Sequence, residues 1–238
     1  MRRKRRRISQ QGMTLIEISM VVVIAAMLVA AFVTYKNFQH ASKLRAVVAE
    51  VSRIKTGVSE FRDKYFALPG DMTLASTYWP TASNGNGDGN IVWDSGAALP
   101  GPPYPFESVI AWQHLALAGI ISGSYSGTCN NPVCTGTPGV NIPSSQYPNG
   151  GYFLDNADYT GVRNSIIFAT AGRPGDPNNS ILSPVDAESL DIKLDDAIPD
   201  SGAVQVFSNP NCATGTPVTY NNTSTAIFCQ MIFRLVNF

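Results

Sequence analysis

Apolar positions follow two regimes along the first quarter of the chain. Residues 13–33 form an almost unbroken hydrophobic run of 21 residues, in which only Thr14, Glu17 and Ser19 are polar. At ~1.5 Å per residue such a run spans roughly 31 Å as a helix, the thickness of a bilayer's hydrocarbon core. Further on the pattern becomes periodic. Leu44, Val47, Val48, Val51, Ile54, Val58, Phe61 and Tyr65 recur at steps of three and four, with Lys43, Arg45, Glu50, Arg53, Lys55, Glu60 and Arg62 between them. That spacing predicts one apolar stripe on an amphipathic helix. No helix breaker stands between Val33 and Gly57, and Leu68-Pro69-Gly70-Asp71 closes the segment. A helix from 13 through 64 is roughly 78 Å long. Such a length suits a first half in lipid or among other helices and a second half packed on a head.

The rest of the chain reads as that head. Residues 106–118 predict a helix with Val109, Trp112 or Leu115, and Leu117 available for burial. Residues 183–196 predict another, started by a Ser183 cap, Pro184 and Asp186. Strands are expected at 165–170, 203–208 and 227–235, which are rich in Val, Ile and Phe. Strands gathered late, after a long initial helix, predict an α+β fold with an antiparallel sheet and a loop-rich head. The divisions are a basic leader at 1–12, an apolar helix at 13–34, a stalk at 35–66 and a head at 67–238.

Charge sharpens this organisation. The formal net charge is zero, with 17 basic and 17 acidic residues. Six of the basic ones lie at Arg2, Arg3, Lys4, Arg5, Arg6 and Arg7, whereas from Asp71 onward only four face thirteen carboxylates. An acidic body argues against a nucleic-acid-binding globule. The basic cluster ahead of the apolar run predicts a cytoplasmic N-terminus and an exported head. Three fates of the segment follow: a plain anchor, a secretory signal cut near Val29-Ala30-Ala31, or a cut at Gly12-Met13 that leaves the apolar helix on the mature chain.

Glu17 bears on the choice, because a carboxylate in a spanning segment needs a partner. Thr14-x-x-Glu17 has the spacing of a capping box, which can satisfy that need locally. A cut after Gly12 would instead create an ammonium at Met13, four residues away. The sequence Gly12-Met13-Thr14-Leu15-Ile16-Glu17, after a short basic leader and before a long apolar run, resembles the N-terminus of type IV prepilins and type II secretion pseudopilins. The resemblance implies cleavage after Gly12 by a prepilin peptidase, N-methylation of Met13, and use of Glu17 to register one subunit against the next. It also implies a non-enzymatic subunit held in the bacterial inner membrane before it enters a filament in the periplasm or outside the cell. Its partners would be other pilin or pseudopilin subunits, an inner-membrane assembly platform and membrane lipid. Met at the first mature position, where Phe is usual, and the lack of a kinking proline are departures. Residues 63–72 and 190–202 are similar to later stretches of pilin-like proteins. The size of the mature chain leans toward a minor pilin or pseudopilin.

Two clusters carry candidate chemistry. Asn84-x-Asn86-x-Asp88-Gly89 matches the first half of an EF-hand-type loop, with Ile91 at the usual aliphatic position, but its twelfth position is Ser95 rather than Glu. Calcium at Asn84, Asn86 and Asp88 is therefore an expectation, no cofactor is required, and a membrane-anchored or secreted calcium-dependent adhesin is the alternative function. Asp191, Asp195 and Asp196 form an acidic helix edge, expected to be a solvated face. No partner acid for glycoside chemistry and no nucleophile motif is present. In an oxidising compartment Cys129, Cys134, Cys212 and Cys229 are expected to form disulfides. Of three pairings, proximity favours Cys129 with Cys134 and Cys212 with Cys229. The latter resembles the C-terminal loop of many pilins. The spacings and the distant histidines, His40 and His114, argue against zinc.

Overall fold

A computed structural model describes residues 14–93, 106–129, 134–157, 162–207 and 209–235. The molecule is α+β. It opens with a 51-residue helix, α1 (Leu15–Tyr65), followed by the short α2 (Ala75–Tyr78) and then α3 (Glu107–Leu117). Strands β1 (Gly150–Ala157) and β2 (Val162–Thr170), helix α4 (Pro184–Leu194), and strands β3 (Val204–Val206), β4 (Ala213–Thr214), β5 (Thr219–Tyr220) and β6 (Met231–Arg234) complete it. The chain divides into two compact units between Ser42 and Lys43, within α1.

The described part of the N-terminal unit is helix and contributes no buried residue. Residues 14–40 are all exposed. Its most apolar 18-residue window has a mean hydropathy of 2.7, enough by length and composition to cross a membrane.

The second unit carries the core. Leu44, Val47, Val51, Ile54, Gly57, Val58 and Phe61 are its buried positions on α1. A Cβ at Gly57 would lie 2.9 Å from Ile120 Cγ2, so the missing side chain lets segment 120–121 approach the helix closely. The main sheet is antiparallel, in the order β1-β2-β6-β3, and β4-β5 form a separate ribbon. Phe153 pairs with Ile167, Ile167 with Ile232, and Gln205 with Ile232. In β2, residues 164–169 are buried without alternation, as expected of a strand covered on both faces. α3 packs on β1, and α4 on β3 and β5.

The helices and strands expected at 106–118, 183–196, 165–170, 203–208 and 227–235 correspond to α3, α4, β2, β3 and β6. Ser183 caps α4, accepting a hydrogen bond from the Asp186 amide. Strand β1 and helix α2 were not anticipated. Leu117, expected inside, is exposed, whereas Val109, Trp112 and Leu115 are buried.

Candidate functional site: the N-terminal helix and the acidic clusters of the head

At the start of α1 the Glu17 carboxylate folds back on Thr14. Glu17 Oε2 accepts from the Thr14 amide and from its hydroxyl, both at 2.8 Å, and the Glu17 amide donates to Thr14 Oγ1 at 3.3 Å. This is the reciprocal capping box that the Thr-x-x-Glu spacing permits. The surrounding side chains, among them Leu15, Ile18 and Val22, are exposed and apolar. Gly12 and Met13 lie outside the described residues, as do Asp94 and Ser95.

The loop of Asn84, Asn86 and Asp88 wraps around a carboxylate that the sequence did not single out. Amides of Gly87, Asp88 and Gly89 donate to Asp71 at 2.6, 2.9 and 3.0 Å. Gly87 (φ +78°) and Gly89 (φ +83°) make the left-handed turns that direct these donors inward. The loop's own side-chain oxygens are engaged nearby. Asn84 Oδ1 accepts from the Ser76 amide, Asn86 Oδ1 from the Asp88 amide, and Asp88 Oδ1 from the Asn90 amide. Glu107, at the first turn of α3, accepts from the amides of Asn86 (3.2 Å) and Val92 (3.3 Å). Burial, reinforced by the charges of Asp71 and Asp88, pushes its carboxyl up to about 7. Burial also raises Asp71, against the pull of the Gly89 and Gly87 amides.

His114 closes this corner of the core. Its Nδ1 accepts from the Gly70 amide at 3.0 Å and its Nε2 meets the Ser83 carbonyl at 2.8 Å, so the neutral Nε2–H tautomer satisfies both. Burial lowers its basicity, opposed by Ser83.

A second acidic cluster corrects an expectation. Asp191 does not lie on a solvated face: it is 0 % exposed, while Asp195 and Asp196 are exposed. Tyr220, on β5, covers Asp191 and donates to its Oδ2 at 2.8 Å. Asp191 Oδ1 is buried with no partner at hydrogen-bond geometry. Burial pushes the Asp191 carboxyl up to about 6; the Tyr220 hydroxyl opposes the shift, the Asp196 and Asp195 charges add to it, and the Ala197 amide counters more weakly. Helix periodicity had placed Asp191 and Asp195 on one face. It could not indicate that a strand 29 residues further on would cover one of them.

The cysteines lie at disulfide distance in the pairs favoured by proximity, with Cα–Cα separations of 5.3 Å for Cys129–Cys134 and 5.2 Å for Cys212–Cys229. A cavity of about 560 Å³ adjoins α1, lined by Glu50, Arg53, Trp112, Tyr125, Gln146 and Tyr152 among others. There Glu50 accepts from Ser145 Oγ and the Tyr152 hydroxyl, both at 2.6 Å, and from the Gln146 amide at 3.0 Å. Trp79, Trp93 and Trp112 belong to the core or pack against it.

No protein-family model, curated protein or solved structure matches this chain.

Proposed function

We propose that the chain is a non-enzymatic filament subunit of the type IV pilin or pseudopilin kind, with a minor subunit the preferred role. The observation that carries this reading is the placement of Gly12-Met13-Thr14-Leu15-Ile16-Glu17 directly ahead of an exposed apolar helix that continues without a break into the head. Exposed side chains from Leu15 to Val33 would otherwise leave a large apolar area in water, so lipid or neighbouring helices must cover them. The first half of α1 then lies in the inner membrane before assembly and among neighbouring subunits afterwards. Its second half is an amphipathic support for a loop-rich, exported head.

Prepilin peptidase removes residues 1–12 in this reading, and the inner-membrane assembly platform receives the processed subunit. Thr14 holds the Glu17 carboxylate while the subunit is free. In the filament that carboxylate meets a Met13 ammonium, and a register that leaves it unmatched is penalised.

Mass spectrometry of the purified native chain tests the proposal. The expected N-terminus is N-methylated Met13. An intact basic leader in cells with active processing peptidase, or a start near Phe32, refutes it. Glu17→Ala and Glu17→Gln should both remain membrane-inserted and cleaved, yet enter sheared filaments about tenfold less than wild type, since each removes the charge. Thr14→Val, which removes the hydroxyl from the cap and keeps the charge, should assemble nearly normally. If Glu17→Gln assembles like wild type, the capping box is the residue's whole role.

A further inference from the structure

We propose that Asp191, Asp195 and Asp196 hold a calcium ion at the C-terminal end of α4. The inference is independent of the filament reading. α4 ends at Leu194, and the chain reverses through Ala197 at φ +65°. Just before that reversal, one carboxylate oxygen from each of the three residues lies within 4.8 Å of the others.

An acidic group of this kind is common on protein surfaces; Asp191 distinguishes this one. It is completely buried, one oxygen is satisfied by Tyr220, and the other has no partner at hydrogen-bond geometry, the Ala197 amide reaching the carboxyl only weakly. A buried carboxylate oxygen left unpaired is costly unless something positive meets it. None of the three acids has an ion-pair partner among the described residues. Lys55 of α1 lies within electrostatic reach of Asp195, and Glu188 adds negative charge beside Tyr220.

The other two acids are held in place by amide and hydroxyl donors. Asp195 Oδ2 accepts from the amides of Ala203 and Val204. Asp196 accepts from the Ile198 amide and from Ser201 Oγ, each at 2.9 Å. These bonds orient the carboxylates without neutralising them.

The donor set consists of oxygen alone, which selects a hard cation. Ca–O distances of about 2.3–2.6 Å place opposed ligands up to ~5 Å apart, whereas Mg²⁺, at about 2.0–2.1 Å, demands a tighter octahedron. Three protein carboxylates, two of them exposed, leave the remaining positions to water. The expected affinity is in the weak extracellular range, Kd about 10⁻⁴–10⁻³ M.

The test uses the full chain in detergent micelles, stripped with a chelator and titrated with calcium chloride alone. Calorimetry should detect one site, and the thermal midpoint should rise by about 3–6 °C at tenfold excess over Kd. Asp196→Asn keeps an acceptor for the Ile198 amide and should weaken binding about tenfold or more. Asp191→Asn, which can still accept from Tyr220, is the second variant and should do the same. Asp88→Asn should leave the calcium response intact. The proposal is overturned by absence of heat and shift in the wild type, or by unchanged binding in both cluster variants. It is also overturned if the response is lost in Asp88→Asn alone, which assigns calcium to the 84–88 loop, or if magnesium gives an equal response.

Discussion

Glu50 fastens the second half of α1 to the 145–152 segment, and its removal has a magnitude set by the bonds it makes. Its carboxylate receives two hydroxyls and one amide from the 145–152 region. Bonds to a charged acceptor contribute ~1.5–3 kcal/mol each in a dry setting. Glu50 is half-buried and borders the cavity of about 560 Å³, so water can replace it at Ser145 and Gln146. Tyr152 is 1 % exposed and is harder to resolvate. The expected loss in Glu50→Ala is therefore about 2–3 kcal/mol rather than the full sum. For a chain of this size that lowers the thermal midpoint by about 4–12 °C. Tyr152→Phe should cost about 1 kcal/mol alone and less than that on top of Glu50→Ala, because the shorter of the hydroxyl's two bonds goes to Glu50 and the longer to Ser145. Denaturation of the full chain in micelles, followed by tryptophan fluorescence, measures each term of the cycle. Strict additivity of the two variants, or a loss below about 1 kcal/mol in Glu50→Ala, would refute the claim that this carboxylate fastens the two segments.

Two further outcomes are expected. His114 is held neutral with its basicity below the ordinary 6.5, so the unfolded chain takes up a proton that the native chain resists. Its contribution is complete above about pH 6.5 and declines as pH falls toward the lowered native value. His114→Gln should flatten that part of the stability–pH curve measured by urea denaturation, and an unchanged slope would count against the assignment. Replacing Cys212 and Cys229 together by Ser opens a loop of sequence separation 17. The expected loss is about 3 kcal/mol, or a midpoint lower by about 6–12 °C in calorimetry, and an equal midpoint would show that the bridge carries no stabilisation.

The long helix was legible because its signal is local: an apolar run, then a three-four stripe, with no proline until Pro69. Strand β1 was not legible because its composition imitates a loop. Gly150 and Gly151 look like turn residues, yet a Cβ at Gly150 would lie 2.7 Å from Phe168 Cε2, and one at Gly151 would lie 2.8 Å from Ile142 Cδ1. Asp155 looks solvated but accepts from the Trp93 amide at 2.8 Å inside the fold. Asp71 hid in a similar way behind a Pro-Gly stop signal. The amides that give it meaning come from 16 to 18 residues further on. In each case the chemistry depends on long-range closure, which periodicity does not encode.

β6 is among the last described segments of the chain, yet it occupies an interior position in the sheet, with β2 on one side and β3 on the other. Whichever machinery delivers the polypeptide from its N-terminus, β2 and β3 must wait with unpaired edges until residues 231–234 emerge. A shortened product lacking them would expose two strand edges and lose the ladder between them. Closure of the sheet thus waits on residues 231–234, and copies lacking them would be left open to proteases.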